Sequence, residues 1–137
     1  MPGPAATAAL DWDFPAASPM KGFRHAMVGV SRSHDHLKSL AADEWRIDPE
    51  HPDIDPLAEA RILLELYERS AELEEVLAEP ADFQRFLEDS IESSRELVAA
   101  LERHRKGESA AATDAADAFA TVNSACKACH SGYRNED

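Results

Sequence analysis

The sequence predicts an all-α fold, an antiparallel four-helix bundle, on three observations. Four stretches repeat apolar residues at spacings of three and four, the period of a helix with one buried face. Two of them open on a capping residue followed by proline, Ser18-Pro19 and Asp55-Pro56. Between the four lie two short turns and one long connection, which suits helices running up and down beside one another. A chain of 137 residues is enough for one domain with its own core. Residues 1–17, rich in Ala and Pro, read as a flexible leader, and residues 18–137 as the helical domain.

The first helix runs from Ser18 to about Ala42. Phe23, Met27, Val30, His34 and Leu37 make its inward stripe, with Arg24, Arg32, Asp35 and Lys38 on other faces. Residues 43–55 carry Trp45, Ile47 and Ile54 among prolines and acids without a helical period, and read as a long ordered connection. Trp45, read as an exposed apolar residue, would serve a dimer or roof the core. The second helix, roughly 56–78, turns Ile62, Leu63, Leu66, Leu73, Val76 and Leu77 inward and Glu65, Glu68, Arg69, Glu72 and Glu75 outward, until Pro80 ends it. The third, from near Asp82 to about Lys106, presents Phe83, Phe86, Leu87, Ile91, Leu97, Val98 and Leu101, and Gly107 supplies the stop. The fourth follows Glu108-Ser109. It is Ala-rich at first, so it packs close to its neighbours, and its inward stripe is Phe119, Val122, Cys126, Cys129 and Tyr133. No repeat longer than the helical period is present.

Within that last stripe, Cys126-Lys127-Ala128-Cys129-His130 spells a covalent haem attachment site. Thiols three residues apart on a helix share a face, so both reach the vinyl groups along one edge of a porphyrin. His130 lies one turn beyond Cys126, where its imidazole serves as an axial ligand of the iron. A dithiol redox pair would begin a helix after a strand, and no strand pattern precedes this one. Zinc needs two further ligands, and His25, His34, His36, His51 and His104 are scattered without a second knuckle. The bundle is therefore expected to hold one haem c near its C-terminal end, through Cys126 and Cys129.

Composition narrows the partners. A formal net charge of −13 repels nucleic-acid phosphates and suits proteins with basic patches. No apolar run approaches the length that spans a bilayer. Both cysteines belong to the motif, so there is no disulfide framework. Covalent haem attachment normally takes place outside the cytoplasm, yet Met1-Pro2-Gly3-Pro4-Ala5 has neither the basic start nor the apolar core of a signal peptide. The expectation is a periplasmic protein seen as a mature or trimmed chain with an added Met1.

The run Cys126-Lys127-Ala128-Cys129-His130-Ser131-Gly132-Tyr133-Arg134 resembles the signature of the cytochrome c prime family, the class II c-type cytochromes. In outline the resemblance covers residues 18–135, through helix number, helix lengths and the late position of the motif. Detailed similarity lies in the last helix. It implies thioether bonds at Cys126 and Cys129, proximal ligation by His130, and a role for Arg134 beside the haem carboxylates. As a residue alone, Arg134 is equally a helix C-terminal cation.

The resemblance also implies that the sixth ligand decides the function. In one branch of the family an apolar side chain on the first helix closes off the iron, and the protein binds nitric oxide or carbon monoxide. In the other a methionine from that helix binds the iron, giving a low-spin centre suited to electron transfer. Met27 is the expected ligand, since it lies on the inward stripe, whereas Met1 belongs to the leader and Met20 to the first turn. The family's Arg one turn before the distal residue is a departure here. Phe23 stands one turn before Met27, and Arg24 one turn before Val28; if Arg24 sets the register, Val28 is distal and the iron five-coordinate. His34 is a third alternative, about 10 Å further along the helix than Met27.

The reading is thus a non-enzymatic, single-haem electron carrier that passes electrons between redox partners, with gas binding as the alternative. A peroxidase would need polar distal groups, and His25 or His34 would have to supply them on a mainly apolar stripe. Pairing of two bundles into a homodimer through the first and second helices is left open by the resemblance.

Overall fold

A computed structural model of the chain describes the backbone of residues 21–133 and the side chains of residues 22–127. The described residues form five helices: α1 (Lys21–Ala42), α2 (Pro56–Ala71), α3 (Glu74–Leu77), α4 (Ala81–Arg105) and α5 (Ala111–Tyr133). The long helices α1, α2, α4 and α5 are the four of the bundle, and α3 is one added turn. The leader, the Ser18-Pro19 start, Met20 and Arg134 lie outside the described residues.

Helix ends follow local chemistry. Asp55 caps α2 by accepting from the Ala58 N–H at 2.8 Å, with Pro56 at the first helical position. At the end of α4, Gly107 takes φ +92°, and the Glu108 and Gly107 N–H groups return to the Arg103 and His104 carbonyls. This is the Schellman closure that glycine permits. Helix α1 ends the same way without glycine. Glu44 adopts φ 59°, its N–H bonds to Ala41, and the Trp45 N–H bonds to Leu40 at 2.7 Å.

Three sides of the bundle are closely packed, α1 on α2, α2 on α4 and α4 on α5. Each pair is antiparallel. His36 faces Glu59 at 3.2 Å across α1 and α2, Arg61 and Arg95 reach Glu102 and Glu68 across α2 and α4, and Arg103 reaches Asp114 across α4 and α5. Ala111, Ala115, Ala118 and Ala125 are all buried, and their small side chains let α5 approach α4. Gly29 does the same for α1, because a Cβ there would meet the Leu66 Cδ1 at 3.0 Å.

Two expectations are corrected. The second helix does not run on to residue 78: it stops at Ala71, Leu73 becomes extended, and α3 restarts at Glu74. A continuous helix would set Glu72, Glu74 and Glu75 against the negative end of its dipole, whereas the restart makes Glu74 and Glu75 first-turn acids. Glu75, expected to face outward, instead accepts from the Phe23 N–H at 2.9 Å and caps the start of α1. The inward face of the second helix is also rotated. Leu77 is 61% exposed and Ile62 is exposed as well, while Leu57, Ala60, Leu63, Tyr67 and Ser70 are buried.

Trp45 roofs the core rather than facing solvent. It is 3% exposed, packs edge to face on Phe119 at 6.0 Å, and donates its indole N–H to the Ala112 carbonyl at 3.2 Å. Leu37, Leu40, Leu57, Ala60, Leu63, Leu97 and Leu101 are buried beneath it. At the opposite end Phe83, Leu87, Val76 and Tyr67 are buried too, while Phe23, Met27, Leu66, Leu73 and Ile91 are half-buried.

Candidate functional site

The end opposite Trp45 is where the motif lies. Helix α5 carries Cys126 there, packed against the core, and its backbone continues helical through Cys129 and His130 to Tyr133. The side chains of Cys129, His130 and Tyr133 lie outside the described residues, so the position of the second thiol and of the imidazole rests on the helix alone. Cys126 faces Tyr67 of α2, whose hydroxyl oxygen is 3.1 Å from the thiol sulfur. Burial pushes the Cys126 thiol up from its ordinary range, and the bond to Tyr67 pulls part of the way back. The thiol is therefore a neutral group, and conversion to an uncharged thioether removes no solvation that the site has to replace.

The fourth side of the bundle, between α1 and α5, differs from the other three. It is not among the closely packed pairs, and its described contacts are made by side chains. His34 Nε2 meets Asn123 Oδ1, and the His34 ring lies 5.1 Å from Phe119. His34 and Asn123 mark the antiparallel register of α1 against α5, and Trp45, in the turn after α1, bonds to Ala112 in line with it. Counted seven residues along each helix from His34 and Asn123, that register sets position 27 of α1 opposite position 130 of α5.

The residues considered as sixth ligand lie in different surroundings. Met27 is half-buried and packed against the core. Val28 is 61% exposed, on the far side of α1 from the core. His34 is held by Asn123 and Phe119 about two turns below Met27. His25 is exposed. Among the described residues no three of His, Cys, Asp and Glu converge to hold a metal ion. No helix among them is long and apolar enough to cross a membrane.

The residues fit a haem. A flat, mainly apolar macrocycle needs a gap between two helices, apolar side chains that lack a full covering, a thiol at the gap, and ligand positions facing across it. The α1 to α5 side is the loosely packed one, Phe23, Met27 and Leu66 supply incompletely covered apolar surface, and Cys126 supplies a thiol that packs against the core. Tyr67 was not among the residues the sequence pointed to. Its signal was its spacing, four after Leu63 and three before Ser70, which continues the stripe that is buried.

The family model described as Cytochrome C' matches residues 59–134, from the first turn of α2 through the motif. No curated protein and no solved structure shows significant similarity to the chain.

Proposed function

The chain belongs to the cytochrome c′ family, whose cofactor is haem c bound covalently through cysteine, and on that premise we propose that it is a single-haem electron carrier with His130 and Met27 as axial ligands. Bound haem supplies a one-electron iron centre. Cys126 and Cys129 tether it to α5, and His130 presents its imidazole from the same helix. Met27 presents its thioether from α1. A histidine and a thioether together raise the potential and hold the iron geometry through the redox change.

The observation that carries this reading is the placement of Met27, half-buried on the core side of α1 and opposite position 130 in the helix register, while Val28 stands in solvent. An apolar distal valine at position 28, the basis of the gas-binding alternative, has no support from that exposure. Peroxide chemistry has little more, since it needs a free polar group over the iron and His34 is engaged with Asn123. The acidic surface, net −13, favours a basic redox partner and makes association fall with added salt. The periplasm is the compartment in which such a protein would work, as is typical of the family.

Absorption and electron paramagnetic resonance spectra of the oxidised and reduced protein test the assignment. Low-spin signals in both states are expected, and Met27→Ala should convert both to high-spin. A high-spin wild type that binds carbon monoxide without displacing a ligand would replace electron transfer with gas binding.

A further inference from the structure

We propose that His34 and Asn123 are positioning residues, a clasp across the α1 to α5 side that keeps Met27 within reach of the haem iron. The proposal rests on the reading of Met27 as sixth ligand and says what holds it in place. His34 Nε2 bonds to Asn123 Oδ1, and the imidazole ring lies 5.1 Å from the ring of Phe119. Phe119 and Asn123 are four residues apart on α5 and share a face, so one side chain of α1 engages adjacent turns of α5. Because the Asn123 oxygen can only accept, the proton of this bond lies on His34 Nε2.

Helices that pack closely have their separation fixed by side chains interlocking along their length. Helix α1 has such packing against α2, but α5 is not among its closely packed partners. On the α5 side the described ties are single side chains: His34 within α1, and Trp45 in the turn beyond it, bonded to Ala112. His34 is the one nearer the motif end. From His34 back to Met27 the helix is unbroken, about 10 Å by helical rise, and seven residues return it to nearly the same face. A shift of α1 away from α5 at His34 is therefore carried to Met27. Groups behind a metal ligand decide how well the ligand stays in place, and here that support comes through the helix that bears it.

The test compares haem-bearing wild type with Asn123→Ala, which removes the acceptor, Asn123→Asp, which keeps an oxygen there, and Leu101→Ala, which truncates the buried core on α4 and leaves the clasp in place. Two quantities are read: the rate of carbon monoxide binding to the ferrous protein, limited by release of Met27, and amide hydrogen exchange over residues 23–30 of α1. A side-chain hydrogen bond is worth about two- to tenfold in an equilibrium, so Asn123→Ala should raise both by about threefold or more, with Asn123→Asp close to wild type. Leu101→Ala should lower overall stability without speeding carbon monoxide binding. A rise in one quantity without the other, a rise in neither, or an equal rise of carbon monoxide binding in Leu101→Ala overturns the clasp and leaves Met27 as ligand. A wild type that binds carbon monoxide with no ligand to displace overturns that assignment, and the clasp with it.

Discussion

Trp45 shows how one residue can close an end of a bundle. It follows two residues that reverse the chain after α1, and both Glu44 and Trp45 itself sit at positive φ, which costs a non-glycine residue about 1–3 kcal/mol. The strain is offset by burial of a large ring against Phe119 and by the hydrogen bond to Ala112. Trp45→Ala keeps the strained backbone and loses both compensations, so it should lower unfolding free energy by about 3–5 kcal/mol in urea denaturation. A loss below about 1 kcal/mol would place the closure elsewhere. At this scale the candidate site was only partly legible. Cys126, Cys129, His130 and Met27 stand out because their chemistry is specific, but Tyr67 is masked by the aliphatic residues at Ile62 and Leu66 that suggest a stripe rotated away from it. Trp45 sits in a segment without a period, so nothing local says which side of it is wet.

The helices themselves show where periodicity suffices. The end of α1, both ends of α4 and the start of α5 fall close to where spacing, Gly107 and the Pro80 break place them, because there the apolar stripe, the end signals and the tertiary packing agree. The second helix departs because two demands conflict. Its apolar period runs on past residue 71, but the start of α1 has orphan N–H groups that need an acceptor, and the chain breaks to deliver Glu75 to Phe23. No glycine or proline marks that break, and the acceptor's target lies 52 residues away in sequence. The cap predicts a graded loss. Glu75→Ala should destabilise the protein by about 0.5–2 kcal/mol, with Glu75→Gln in between because it keeps an acceptor and loses the charge. Equal stability of all three proteins would show that the contact does not support α1, and chemical denaturation with a far-ultraviolet signal measures it.

Taken whole, the molecule is built unequally from end to end. The end under Trp45 buries Leu37, Leu40, Leu57, Leu63, Leu97 and Leu101, and ion pairs tie α2 to α4 and α4 to α5, including Arg105 to Asp55 at the junction of α4 and α2. The end that carries the motif buries Phe83, Leu87 and Val76 but leaves Phe23, Met27, Leu66 and Leu73 half-covered, and α1 is not among the helices packed closely on α5. Apolar surface left in water contributes nothing to stability until something covers it, so a cofactor bound at the motif end would add its stabilisation there. Local opening should follow the same division. In a haem-free Cys126→Ala, Cys129→Ala variant, amide hydrogen exchange should accelerate at least tenfold over residues 23–30 and 66–71 relative to the haem-bearing protein. Residues 37–40, 57–63 and 97–101 should change by less than threefold. A uniform acceleration along all four long helices would mean that the bundle is one cooperative unit held together by its cofactor, and that the difference in burial between its ends has no bearing on how it opens.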